Sequence, residues 1–158
     1  MMEQKEHTHS PKKVLFTGFG VFLLFVLAFV IFFFLSFETV EVKGQSMEPT
    51  FHTGQRLLIT RLYWLVGPIK KNDVVVVHHP GTGEVIIKRV YAVAGDVVDF
   101  YNVPESWNLG KGEYKVPADS YYILGDNRPV SDDSRLFGPI KSSAILGKVV
   151  KAEFLPHK

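Results

Sequence analysis

The sequence contains no cysteine. That excludes disulfide scaffolds, cysteine-ligated zinc, iron–sulfur clusters and cysteine nucleophiles together. No H-E-x-x-H occurs, so a zincin centre is excluded, and no metal or cofactor is expected. Ser46 has no lysine three residues on and no K-T-G follows it, which excludes a penicillin-binding enzyme. His52, His78 and His79 have no G-x-S-x-G partner, which argues against a Ser-His-Asp hydrolase of that type. Charge of one sign is also missing. Residues 38–158 carry 15 Lys and Arg (18 in the chain less Lys5, Lys12 and Lys13) against 14 Asp and Glu (16 less Glu3 and Glu6). A near-neutral domain lacks the basic footprint of a nucleic-acid binder. No repeat or low-complexity tract is present, and past Glu38 no segment keeps helical periodicity over three turns.

The most telling absence is local. Val14 to Phe37 is a run of 24 residues with no charge, and it holds nine of the 13 phenylalanines. At about 1.5 Å per residue such a helix reaches roughly 36 Å, enough to cross a hydrocarbon core of about 30 Å with some tilt. A cleavable leader would be shorter and end in small residues, whereas this run ends Phe34-Leu35-Ser36-Phe37. A buried core helix, apolar all round, would need more protein than the 121 remaining residues supply. The reading is a tail over 1–13, a transmembrane signal-anchor helix over 14–37 and one domain over 38–158. Lys5, Lys12 and Lys13 before the span place the tail in the cytoplasm and the domain outside the cell membrane. His7 and His9 read as part of a mobile polar tail.

The domain reads as strands. Arg56–Thr60, Val74–Val77, Glu84–Val93, Tyr121–Leu124 and Gly147–Ala152 are rich in β-branched and apolar residues, with Gly, Pro, Asn and Asp turns between them. The expected fold is mostly β, a curved or barrel-like sheet on a single N-terminal membrane helix. Leu62-Tyr63-Trp64-Leu65-Val66 reads equally as a core strand or as an aromatic edge at the lipid headgroups.

Three segments are chemically odd. Ser46 has Gly44 two residues before it and Pro49 three after, which holds its hydroxyl and its backbone N–H in an irregular, accessible turn. A plain turn would look the same. Lys88 falls on the strand face of Ile86, Val90, Ala92 and Ala94, where a lysine without a carboxylate loses its proton and becomes a general base. An edge lysine reaching out to water is the alternative, and Arg89 reads as that type. From Gly125 to Gly138 the chain is dense in mixed donors and acceptors, as in a loop ordered from within.

Taken in order, Ser46-Met47-x-Pro49-Thr50, Asn72-Asp73 with its valines, Lys88-Arg89 before Gly95-Asp96, and Gly125-Asp126-Asn127-Arg128 with Ser131, Asp133-Ser134-Arg135 and Gly138 resemble the boxes of type I bacterial signal peptidases. The single anchor and short domain resemble the compact Gram-positive type. The resemblance spans residues 14 to 151 and implies a membrane-bound serine endopeptidase with a Ser–Lys dyad, which cleaves signal peptides from exported preproteins after small residues in an A-x-A pattern. Carried over by position, Ser46 matches the nucleophile, with its backbone N–H in the oxyanion hole, and Lys88 the general base. Ser131 matches a hydroxyl that orients the lysine; Asp133 with Arg135, and Asp126 with Arg89, match ion-paired supports. Met47 and the surroundings of Ile86 are candidate pocket walls. Three positions depart from the pattern: Gly44 where some relatives have a serine that completes the oxyanion hole, Gln55 where an acid is usual, and Tyr91-Ala92-Val93-Ala94-Gly95 in place of Gly-Leu-Pro-Gly. Alternatives within this reading are a peptidase specialised for one pilin or conjugation substrate, and a non-catalytic relative that assists surface-protein assembly.

Overall fold

The computed structural model describes residues 11–152. Lys5, His7 and His9 of the expected tail lie outside the described residues. The chain divides after Ser36 into two compact units.

The first unit is helix α1 (Pro11–Leu35), 25 residues long. Its Gly18–Leu35 stretch is long and apolar enough to cross a membrane, and none of it is buried by protein. The helix ends two residues before the apolar run does. Phe37, assigned to the span by its lack of charge, is the first residue of a strand, because Glu38 and Glu41 continue it in an extended ladder.

The second unit is a β domain. Its strands are β1 (Phe37–Glu41), β2 (Arg56–Thr60), β3 (Val74–His78), β4 (Val85–Val93), β5 (Val97–Val98), β6 (Tyr114–Lys115), β7 (Ser120–Leu124), β8 (Ile140–Lys141) and β9 (Ile145–Ala152). Two single-turn helices, α2 (Tyr63–Val66) and α3 (Ser134–Phe137), complete it. Seven strands form one antiparallel sheet in the order β1-β2-β9-β3-β4-β7-β8, and β5 pairs with β6 separately. β9 shifts register against both β2 and β3. Such bulges bend and twist the strands, so the sheet curls into a half-barrel instead of lying flat.

Curling explains β3. Its four valines are all buried, with Val74 and Val76 in one apolar cluster and Val75 and Val77 in another. A strand covered on both faces reads as a continuous apolar run. The first cluster joins Val42, Met47, Phe51, Leu57, Ile59 and Ile87 under the segment that carries Ser46. A third gathers Ala92, Val98, Tyr114, Val116, Tyr122 and Leu124.

β4 departs from simple alternation. Its register against β7 slips between Val90 and Ala92. The slip inverts the phase beyond it, so Val93, not Ala92, packs with Ile86 and Val90, and Ala92 joins the third cluster. The apolar face around Lys88 is therefore shorter than strict period-2 counting gives. Gly95, at φ 88°, then closes the strand end, and Asp96 caps it by accepting the Val93 N–H at 3.0 Å. The Leu62–Val66 segment is a helical turn, with Trp64 and Leu65 exposed.

Candidate active site

Ser46 sits in a turned segment between β1 and β2. Glu48 N–H donates to Gln45 O at 3.1 Å and Phe51 N–H to Met47 O at 2.9 Å. Met47, 1% exposed, drives into the core beside Ile87, which fixes the segment while Ser46 stays partly exposed. The Ser46 carbonyl is held from the far side by the Asn127 N–H at 2.9 Å. Gln55 accepts the His52 N–H through Oε1 at 3.2 Å and so closes the following turn.

Lys88 comes from the middle of β4, opposite Val75. It is 3% exposed, and its Nζ lies 2.8 Å from Ser46 Oγ, across 42 positions of sequence. Among the described residues it has no ion pair. Burial pushes the amine below the ordinary lysine value, and the charges of Asp133 and Asp132 pull it only part of the way back. A protonated amine donates across the 2.8 Å contact; a neutral one accepts the serine proton over the same distance.

Two ion pairs lie in the segments that carry Lys88 and Ser131. Arg89 donates to both oxygens of Asp126, Nε–Oδ1 at 2.8 Å and Nη2–Oδ2 at 2.6 Å, and its Nη1 reaches Asn72 O at 2.9 Å. Arg135 grips Asp133 likewise, Nε–Oδ1 at 2.9 Å and Nη2–Oδ2 at 3.0 Å. Asp133 is fully buried and also accepts the Gly125 N–H at 3.0 Å. Burial alone would raise both carboxyls, but the hydrogen bonds outweigh it and hold both below their ordinary value. Each pair is bidentate, so each acts as a geometric strut more than a reacting group.

Ser131 differs from its expected role. Its Oγ is buried and makes no hydrogen bond, to Lys88 or to any other described group. It lies close enough to Asp133 to favour that carboxylate's charge, but without hydrogen-bond alignment. Ser131 occupies the room left by the missing side chain of Gly125. A Cβ there would stand 2.1 Å from Ser131 Oγ and 2.6 Å from Ser46 O. Gly125 is thus the point where the loop passes against the nucleophile's own backbone. Read only as a bracket of a polar loop, it gives no hint of that contact.

A groove of about 70 Å³ opens at the pair, lined by Val42, Ser46 and Met47 on one side and Ile86, Ile87 and Lys88 on the other. A larger cleft of about 240 Å³ lies between Ile69–Lys71 and Tyr121 and contains none of these residues. The smaller one coincides with the chemistry. Among the described residues no cluster of side chains could hold a metal ion.

The family described as signal peptidase, peptidase S26, matches residues 15–104 and 99–152. The chain belongs to this signal peptidase family. Signal peptidase IB of Staphylococcus aureus (strain Mu50 / ATCC 700699) is 31% identical over 158 residues, 78% of this chain and 82% of that protein. Signal peptidase I of Bacillus caldolyticus is 30% identical over 141 residues, 72% and 77% of the two chains. A crystal structure of a signal peptidase I from Enterococcus faecalis V583 superimposes with a TM-score of 0.41 at 25% identity, over 53% of this chain and 97% of that one. As a member of the signal peptidase family, the chain is a peptidase. Gly44 carries no side chain, and its carbonyl accepts a hydrogen bond from Thr53 Oγ1 at 2.9 Å.

Proposed function

We propose that this peptidase is anchored in the cell membrane by α1 and removes signal peptides from exported preproteins, cleaving after small residues in an A-x-A pattern. The observation that carries the reading is Lys88 Nζ at 2.8 Å from Ser46 Oγ, on a lysine that is buried and, among the described residues, has no ion pair. A buried amine below its ordinary value can exist neutral and accept a proton, and a serine within hydrogen-bond reach of it is the activated nucleophile.

In acylation, Lys88 takes the Ser46 proton as Oγ attacks the scissile carbonyl. The C–N bond breaks, Lys88 returns the proton to the leaving amine, and an ester to Ser46 remains. Water then attacks the ester with Lys88 again as base, and Ser46 regains its proton. The Ser46 N–H, which makes no hydrogen bond to other described groups, faces the oxyanion. The Arg89–Asp126 and Arg135–Asp133 pairs hold the surrounding loop without reacting. The groove is small, which favours alanine-sized side chains over larger ones.

The tail over 1–13 lies in the cytoplasm and the domain over 38–158 faces outside, as the three N-terminal lysines favour. Cleavage of a preprotein with an A-x-A site, assayed in detergent with the full chain and with Ser46→Ala, tests the reading. Ser46→Ala abolishes cleavage with unchanged circular dichroism; retained cleavage would overturn it. Protease added outside spheroplasts digests the domain and spares the tail. A protected domain would overturn the orientation.

A further inference from the structure

The β5–β6 pair carries none of the residues assigned to the reaction, yet the loop between its strands reaches the active-site loop. Asn102 stands in that connection with its backbone and side-chain polar groups all engaged. Its backbone N–H donates to Asp99 O at 3.0 Å, and its carbonyl accepts the hydroxyl of the buried Tyr122 at 2.6 Å. Its side-chain Nδ2 donates to both carboxylate oxygens of Asp99 at 2.9 Å. That donation fixes which way the amide faces. Oδ1 is turned to Arg128 and accepts its Nη1 at 2.6 Å.

Arg128 uses the other arm of its fork on the chain just before it. Nε donates to Gly125 O at 2.8 Å, which closes the stretch from Gly125 to Arg128 on itself. The guanidinium also lies over the Tyr91 ring, 5.5 Å from its centroid, and the Tyr91 hydroxyl bonds to Asp99, the carboxylate that orients Asn102. The stretch closed in this way is the one that meets the nucleophile's backbone. Asn127 N–H, inside it, donates to Ser46 O at 2.9 Å. Gly125 passes so close that a Cβ would stand 2.6 Å from the same oxygen. A planar guanidinium keeps both bonds only while both acceptors stay in place. Without Asn102 the fork can turn toward water, and the closure loses its outer anchor.

We propose that Asn102 is a positioning residue for the reaction: through Arg128 it keeps the Gly125–Arg128 stretch closed against the Ser46 carbonyl, and so holds the Ser46 hydroxyl where Lys88 can take its proton. The proposal rests on Ser46 being the nucleophile. Asn102 touches neither reacting group. It acts through placement, and a displacement on the order of 1 Å at a reacting atom is enough to slow a reaction about 10²-fold.

The test reads kcat and KM on an A-x-A preprotein for the full chain in detergent, together with amide hydrogen exchange at Asn127 by NMR. Asn102→Ala lowers kcat by about 10-fold or more and leaves KM unchanged. In that variant the Asn127 N–H exchanges faster, while the amides between β3 and β4 keep their wild-type rates. Arg128→Ala does the same, and the double variant is no slower than Arg128→Ala, because one effect runs through the other. Asp99→Asn combined with Asn102→Asp exchanges the amide and the carboxylate and returns an acceptor to Arg128. That swapped pair restores most of kcat, and it decides the matter even if Asn102→Ala does not fold. Wild-type kcat or unchanged Asn127 exchange in Asn102→Ala, multiplied losses in the double variant, or a swapped pair that folds without regaining kcat would overturn the proposal. Cleavage by Ser46→Ala would instead break the reading of Ser46 on which it rests.

Discussion

Val75 has a lysine on either side of it in the sheet, Lys88 on β4 and Lys148 on β9. Both are buried, at 3% and 9% exposure. Lys148 is compensated. Its Nζ is 2.8 Å from Asp73 Oδ2 and also reaches the carbonyls of Val66 and Pro68 at 3.4 and 3.5 Å. Lys88 has a neutral hydroxyl at 2.8 Å and no ion pair among the described residues. A buried cation that is paired and hydrogen-bonded serves the fold, because it can remain charged at small cost. A buried amine left without a counter-charge is held where its proton is easily lost, which is a poor strut and a good base. On the proposed mechanism, the two lysines on the strands that flank β3 diverge in role through their partners.

Exchanging the charge chemistry at each lysine should separate the two roles. Lys88→Arg keeps a cation that cannot accept the Ser46 proton, so kcat/KM falls by about 10²–10⁴-fold or more. The conservative Lys148→Arg retains activity. An active Lys88→Arg enzyme in a preprotein cleavage assay would collapse the distinction.

Gly125→Ala should disturb the first environment and spare the second. Its Cβ would stand 2.6 Å from Ser46 O, so the nucleophile's segment or the Ser131 loop must shift. Strain of about 1–3 kcal/mol is expected in urea unfolding, with a large loss of kcat. Wild-type kcat in this variant would show that the close approach does not position Ser46.

Stability sharpens the comparison in the opposite direction. Lys148→Met strands Asp73 half in the interior and costs about 3–5 kcal/mol. Lys88→Met removes an uncompensated amine and is no less stable than wild type near neutral pH. Equal losses at the two positions in urea titrations would contradict the account.

The pH dependence of folding carries the smallest signal. Lys88 has its folded value below the unfolded one, so below the folded value both states are protonated and the folded state bears the full burial cost. As pH rises through the folded value the unfolded chain binds more protons than the folded one, and stability climbs until the unfolded value of 10.5 is passed. Lys88→Met lacks that climb. Asp133 and Asp126 give stability the same upward slope with pH in a lower window: their folded values are lowered, so their contribution is present above the unfolded value of 3.8 and is lost as pH falls through the folded ones.

Much of this arrangement was legible in the residues, for physical reasons that also mark the limits. β2, β3, β4, β7 and β9 are long enough for β-branched enrichment to show. β5, β6 and β8 are two residues each and leave no period to read. β1 was hidden because Phe37 continues an apolar run and the register with β2 is a long-range property. Lys88 stood out as a charge on an apolar face, but its distance to Ser46 depends on folding across 42 positions, and only resemblance linked the two in sequence. The bulge that moves Ala92 off that face, the backbone contact at Gly125 and the Asn102–Arg128 contact leave no local pattern, since each depends on where two distant segments meet.

The account turns on the state of one amine. Direct titration of Lys88 in the full chain, by NMR of isotopically labelled lysine side chains assigned through Lys88→Met, tests it most immediately. The account predicts a resonance that titrates below the ordinary lysine range, at the pH where the acid limb of kcat/KM falls. A Lys88 amine that titrates with the surface lysines would contradict it.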